Sequence, residues 1–297
     1  ILNFTNVVII NPDNSCIFSF LIMYILFMYL EKYKIKVDNL LNDYLSSIKN
    51  EEFKTMLKYS IDGGKRLRPI ICLYLFDKFG IKNNDIVIGI EFLHCASLIL
   101  DDLPCMDNDD IRRNRLTFHK KYGIKKGYIV ANYLFTEFNK FVLMIGDNKI
   151  INYIFDNLIL IVKGQYYDLG FVKNDNLSND KIIYNNNLKT YPFFVLSFII
   201  PFFLINKFEV REDVEYLALS FSTAFQIYDD FIDYDEDVKN NNFNHIKIIG
   251  KKKTYKMYKD NIEKFNVLCI KYEINSELFN EIINYLNDNL QLYINEL

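Results

Sequence analysis

Residues 98–114 read LILDDLPCMDNDDIRRN. Five aspartates fall within ten positions, Asp101, Asp102, Asp107, Asp109 and Asp110, and Arg112 and Arg113 follow at once. Carboxylates this dense repel one another. The preceding run IGIEFLHCASLIL, 88–100, is apolar enough to form a buried helix. A helix that leaves the core and ends on carboxylates needs a counter-charge there.

A second acidic run, FQIYDDFIDYDED at 225–237, repeats the theme. Asp229 and Asp233 are four residues apart and share one helical face. A divalent cation converts their repulsion into binding. Oxygen donors, only three histidines and no paired cysteine spacing favour Mg²⁺ over Zn²⁺. Mg²⁺ usually keeps waters and is completed by substrate phosphates. Two acidic clusters therefore predict a diphosphate held between them. Asp235, Glu236 and Asp237 read as a solvated helix end.

The basic residues suit the same ligand. GGKRLRP, 63–69, places Lys65, Arg66 and Arg68 between a Gly63-Gly64 turn and the apolar run IICLYLF. Arginine forks and lysine point charges are the usual phosphate grips. With Arg112 and Arg113 they suggest two anionic groups, one chelated through metal and one gripped directly.

The chain has 297 residues, 51% hydrophobic, with a net charge of −3. That suffices for a sizeable core and argues against a nucleic-acid partner held by bulk charge. The five cysteines, Cys16, Cys72, Cys95, Cys105 and Cys269, have no regular spacing and read as buried thiols in a reducing compartment. The apolar run at 16–30 is 15 residues long, whereas a spanning helix needs about 20. No basic residue precedes it, so a leader is not signalled. The reading is an extension at 1–27 with the start of the domain at Met23 or Met28, no stable membrane span, and a cytoplasmic protein.

Apolar residues recur at helical spacing through 37–61, 84–100, 128–145, 150–168, 188–205, 211–234 and 252–297. Hairpin dipeptides are nearly absent. The pattern predicts one all-α domain of about ten helices, with the Asn-rich pieces 173–187 and 239–245 as surface loops.

GGKRLRP, HCASLILDDLPCMDNDDIRRN and FQIYDDFID resemble, in the family's order, the signature motifs of the trans-isoprenyl diphosphate synthases, or polyprenyl synthetases. DDLPCMDNDD is most similar to the geranylgeranyl and bacterial farnesyl diphosphate synthase branch. The resemblance runs through roughly 30–297, so that 28–297 is assigned to the domain. It implies an isoprenoid synthase fold around a deep central cavity, usually a homodimer. It implies condensation of isopentenyl diphosphate with an allylic diphosphate (dimethylallyl, geranyl or farnesyl) by ionisation, condensation and elimination. Asp101 and Asp107 would hold two Mg²⁺, with Asp102 in support. Asp229 would hold the third, with Asp230 and Asp233 nearby, and Mn²⁺ could substitute. Lys65, Arg68, His94 and Arg113 would grip isopentenyl diphosphate, and Arg112 would touch the allylic diphosphate. Lys189, Thr190 and Gln226 would flank the reacting carbon. KGQYYDL matches a family helix through Gln165 and Asp168. His119 and His245 keep the reading of satisfied core histidines.

Product length turns on Ala96, five residues before Asp101. The family tends to carry an aromatic there when it stops at fifteen carbons, so a methyl predicts geranylgeranyl diphosphate, with Phe92 and the 138–141 region as a later floor. Alternatives are a farnesyl or longer-chain synthase and a non-catalytic subunit of a heteromeric synthase. A related terpene cyclase would lack GGKRLRP. The chain departs from the family pattern at Asn114 (usually glycine), Leu100 (often histidine), Asn132-Tyr133 and a shortened loop after 237, where Lys239 is the candidate stand-in for a family lysine.

Overall fold

A computed structural model describes residues 28–169, 178–240 and 242–294. Met23, most of the apolar run, Cys16 and residues 173–177 lie outside them. The described chain forms α1 (Met28–Ser46), α2 (Glu51–Ile61), α3 (Leu67–Phe79) and α4 (Asn84–Asp101). Two-residue strands β1 (Ile111–Arg112) and β2 (Arg115–Leu116) follow, then α5 (Phe118–Tyr122), α6 (Ile124–Leu143), α7 (Asn148–Asp168) and α8 (Asn179–Leu204). A 3₁₀ turn at Phe208–Val210 leads into α9 (Arg211–Ile232), α10 (Tyr234–Asn240), α11 (His245–Ile249), α12 (Lys251–Lys271) and α13 (Glu277–Ile294). The all-α expectation holds. The excess over ten helices comes from the short α5, α10 and α11, too brief to show a period.

Helix α8 is the axis. Its residues 192–203 are all buried, and it packs against α7, α9 and α3. It is long and apolar enough to cross a membrane by composition, yet 78% of that stretch is buried inside the protein. A helix apolar on every side belongs at the centre of a bundle. Phe198 of α8, Phe221 of α9, Phe265 of α12 and Phe279 of α13 interlock with ring centroids 5.1–6.0 Å apart, within the range of favourable aromatic pairs. The first turns of α8 are Asn-rich, and the expected loop at 179–187 is in fact helix, capped by the Ser178 side chain on Lys181 N–H. Helix burial on α7 overrides the poor propensity of asparagine.

Charged pairs fasten the ends. The Glu281 carboxylate accepts from Tyr29 N–H at 3.0 Å and Leu30 N–H at 2.7 Å, tying α13 to the positive end of α1. Arg66 is only 6% exposed. Its guanidinium donates to Glu91 at 2.7 Å and Asp38 at 2.9 Å. Counting Arg66 among the phosphate grips is therefore corrected: its donors are committed to two internal carboxylates. Cys105 is exposed, not buried as expected, because it sits in the loop after α4.

The ribbon at 111–116 is the one piece of sheet among the described residues. Ile111 pairs with Leu116 and Arg112 with Arg115, leaving Arg113 and Asn114 as a two-residue turn with φ of 54° and 58°. Such turns require positive φ at both positions, which asparagine tolerates better than most residues. Asn114 thus fills the role of the usual glycine.

Gly164 marks the tightest crossing. A methyl there would collide with Lys189 N and the Leu188 carbonyl on α8. Gly164→Ala is expected to lower stability by about 1–3 kcal/mol through overpacking and to displace Lys189. Urea unfolding checks this; an unchanged midpoint would contradict the close crossing of α7 and α8.

Candidate active site

Helix α4 ends where its carboxylates begin. Asp102 N–H closes the last turn on the Leu98 carbonyl at 3.1 Å, and Pro104 bars continuation. The loop then curls back: Asp107 N–H donates to the Asp101 carbonyl at 2.9 Å, with Asn108 in the left-handed region at φ 55°. This return brings together two aspartates six residues apart. Lys189 from α8 reaches in from the other side, 3.7 Å from Asp101, 3.9 Å from Asp107 and 2.6 Å from Asp168 of α7. Asp168 thus completes an acidic group that the charge pattern alone did not reveal.

Burial pushes Asp101 up to about 6 despite Lys189, and pushes Asp102 up to about 6 despite Arg112. Asp107 is also raised, again chiefly by burial. Both Asp101 and Asp102 stand at the negative end of a helix dipole, which adds to the cost of ionising them. A cation relieves both terms.

Asp102 and Arg112 engage each other. Arg112 Nε donates to Asp102 Oδ1 at 2.6 Å, and Arg112 Nη2 lies 3.4 Å from Asp109. Asp102 is buried and orients the arginine, so any support it gave a metal would be indirect.

The basic half lies alongside. Arg68, on α3, has its guanidinium 4.5 Å from the Phe194 ring and 5.4 Å from Phe193. Arg68 Nε is buried without a partner. Burial lowers its pKa to about 10, so it stays charged at neutral pH. Nη1 lies 3.5 Å from His94 Nε2. Burial, then Arg68, Arg113, Arg112 and Arg66, hold His94 well below the usual histidine range. His94 is therefore a neutral ring and would meet a phosphate as a hydrogen-bond donor, not as a cation. Lys65 is exposed, 5.9 Å above the Phe225 ring, and Arg113 Nη1 donates to the Asp62 carbonyl at 3.0 Å.

The second cluster closes α9. Burial pushes Asp229 up to about 7, opposed by Lys65 and Arg68. Asp233 is raised for the same first reason. Asp230 behaves differently from the expectation that it sits with the metal. Its Oδ2 accepts from His245 Nδ1 at 2.6 Å and from His245 N–H at 2.8 Å. One residue along a helix is a turn of about 100°, which sends Asp230 towards α11 while Asp229 keeps to the basic side. Lys239 is exposed on α10.

The remaining candidates line up on α8 and α9. Thr190 follows Lys189 and is half-buried. Gln226 Oε1, an acceptor, and Gln165 Nε2, a donor, are buried with no protein partner. Ala96 is fully buried on α4, and one turn below it Phe92 meets Tyr44 at 4.9 Å and Phe141 at 6.3 Å. The hydroxyls of Tyr44 and Tyr133 share a 2.7 Å hydrogen bond. Gly89 leaves space filled by Phe138 and Phe141. The expected aromatic floor thus gains Tyr44, which nothing in the motif spacing marked.

Among the described residues no three Asp, Glu, His or Cys side chains group tightly enough to hold a metal unaided. The donors still suit a hard cation: they are carboxylate oxygens, and an ammonium already lies among Asp101, Asp107 and Asp168. Phosphate oxygens and waters would complete the shell.

The chain matches the Polyprenyl synthetase family model over residues 50–253. It is 34% identical over 247 residues to a farnesyl diphosphate synthase from Buchnera aphidicola, covering 76% of this chain and 85% of that one. It is 30% identical over 259 residues to a trans-prenyltransferase of African swine fever virus, covering 80% and 77%. A geranyltranstransferase from Thermotoga maritima superposes with a TM-score of 0.78 at 26% identity, over 87% of this chain and 99% of that one. With the motifs assembled in this order on this fold, the chain belongs to the polyprenyl synthetase family and is a trans-prenyltransferase of the farnesyl and geranylgeranyl diphosphate synthase kind.

Proposed function

We propose that the chain condenses isopentenyl diphosphate with an allylic diphosphate and stops at geranylgeranyl diphosphate. The observation that carries the chemistry is Arg68: a half-buried, charged guanidinium whose buried Nε has no partner and which makes no ion pair with a carboxylate among the described residues. A charge in that state calls for an anion. Isopentenyl diphosphate supplies one, held by Arg68, Lys65, Arg113 and the His94 donor.

The allylic diphosphate binds at the acidic side. Asp101, Asp107 and Asp229 would hold up to three Mg²⁺, with Mn²⁺ as a substitute. Bound Mg²⁺ supplies charge neutralisation of the departing diphosphate. Arg112, oriented by Asp102, adds a direct contact. Thr190 on α8 and Gln226 on α9 would offer oxygen dipoles to a developing allylic cation, and Lys189 beside them would have its ammonium drawn to Asp168 and the acidic group. The aromatic residues beneath exclude the water that would quench it. The isopentenyl double bond attacks the cation, and a proton leaves to the diphosphate.

Product length follows from one helical turn. Phe92 lies four residues below Ala96, about 6 Å along α4, close to the length of one isoprene unit. Moving the floor from position 96 to Phe92 lengthens a fifteen-carbon stop to twenty. A farnesyl product remains the competing reading, since Tyr44 and Phe141 thicken that floor.

The active unit is a homodimer. Tyr128, Ile129 and Leu143 on α6 and Ile159 and Val162 on α7 are exposed apolar side chains on neighbouring helices, a patch of the kind that marks an interface. A second copy covers it.

With labelled isopentenyl diphosphate, farnesyl diphosphate and Mg²⁺, a twenty-carbon product is expected. Asp101→Asn and Asp229→Asn should each lower kcat by about 10²–10³-fold, the loss typical of removing one electrostatic stabiliser. A near-normal rate in either variant would contradict the metal assignment. Ala96→Phe should shift the product to fifteen carbons; an unchanged product would dismiss Ala96 as the gate. Val162→Arg should convert dimer to monomer in sedimentation velocity, and a wild-type monomer would refute the interface.

A further inference from the structure

Against the acidic end of α9 lies a histidine of α11 that the family resemblance does not use. His245 is 0% exposed. Its ring Nδ1 and its backbone N–H both end on one oxygen of Asp230, at 2.6 and 2.8 Å. Its neighbour Asn244, also fully buried, donates from Nδ2 to the Asp230 carbonyl at 2.8 Å and to Asp237 Oδ2 at 2.9 Å. Asn244 Oδ1 accepts from Ile246 N–H at 2.9 Å and starts α11. Two consecutive residues therefore clasp the end of α9 by side chain and main chain together.

The clasp has a cost, and that cost shows it is not incidental packing. His245 Nε2 is buried with no partner. An apolar residue would have avoided the orphan atom. The retained imidazole supplies the one thing a leucine cannot, a directed N–H for a buried carboxylate. Asp229, one position earlier, is coupled to Lys65 and Arg68 instead. The two adjacent aspartates thus face different neighbours.

We propose that His245 is a positioning residue for the second metal cluster: by clasping Asp230 to α11 it withdraws that carboxylate from the metal and fixes Asp229 and Asp233 on the face that meets the diphosphate. The proposal rests on the prenyltransferase reading for its ligand, but not on turnover for its test. Asp230 is then an internal anchor, reached by Asn244 and by His245 at the start of α11.

The test uses the full chain with inorganic diphosphate and Mg²⁺ and no prenyl substrate. The rise in unfolding temperature is followed as Mg²⁺ is titrated. His245→Leu is expected to raise the half-saturating Mg²⁺ concentration at least about tenfold, because a single lost directed hydrogen bond to a charged group is worth that much. His245→Asn places an amide N–H near Nδ1 and should recover most of the loss. Asp230→Asn keeps an acceptor for both donors and should stay within about threefold of wild type, whereas Asp229→Asn should abolish the Mg²⁺ effect. In turnover assays, KM for isopentenyl diphosphate should be unchanged in His245→Asn. The proposal is overturned if Asp230→Asn is as damaging as Asp229→Asn, or if folded His245→Leu titrates like wild type. Should His245→Leu fail to fold, the Asp230→Asn and Asp229→Asn pair decides alone. Wild-type protein that shows the Mg²⁺-diphosphate effect but transfers no prenyl group would overturn the functional reading and leave this one standing.

Discussion

Helices α4, α7 and α9 end on the carboxylates of the site, α4 on Asp101 and Asp102, α7 on Asp168 and α9 on Asp229, Asp230 and Asp233. A helix C-terminus is the wrong place for negative charge, and burial makes it worse, lifting Asp229 to about 7. Each cluster answers that constraint with a cation brought from elsewhere. Lys189 lies among Asp101, Asp107 and Asp168, Arg112 holds Asp102, and Lys65 faces Asp229. His245 clasps Asp230. Asp233 faces further acids and the distant Lys65. The acidic site is thus balanced by protein cations, a balance that under the proposed function a divalent cation and a diphosphate would take over.

The rest of the fold serves that balance. An apolar axis, α8, carries Lys189 to the acidic group, and Gly164 lets α7 bring Asp168 close enough to meet it. Buried Arg66, neutralised by Glu91 and Asp38, begins α3 in a left-handed conformation at φ 60° and so aims Arg68 inward. The ribbon turn at Arg113 and Asn114 is likewise left-handed, at φ 54° and 58°. Strain of about 1–3 kcal/mol per such residue persists where surrounding structure enforces it.

Much of this was legible in the sequence. Charge density at 98–114 and 225–237 marked both clusters, because carboxylates that terminate an apolar helix are too costly to be incidental. Helix period marked the long elements, and 63–69 marked Lys65 and Arg68. What stayed hidden depended on distance across the fold. The family resemblance marked Asp168, but nothing in the charge pattern showed that Lys189 meets it. Arg66 and Arg68 are two residues apart with the same chemistry, and only burial against Glu91 separates an internal ion pair from a ligand grip. Asp229 and Asp230 differ in one rotation of the helix, and the partner that tells them apart, His245, lies fifteen residues beyond Asp230. The ribbon escaped notice since its turn uses Arg-Asn and not a glycine, and the Asn-rich start of α8 read as loop because propensity there is overruled by packing on α7.

The central claim is a division of labour: one diphosphate gripped directly by Arg68 and its neighbours, the other held chiefly through metal at the aspartates, with the Arg112 contact too weak to hold it alone. Calorimetric titration of the full chain tests it most directly, using isopentenyl diphosphate and, separately, a non-ionising farnesyl thiolodiphosphate, each with Mg²⁺ and with EDTA. The account predicts that isopentenyl diphosphate binds under both conditions while the farnesyl analogue binds only with Mg²⁺. Binding of the farnesyl analogue in EDTA, or a strict Mg²⁺ requirement for isopentenyl diphosphate, would contradict it.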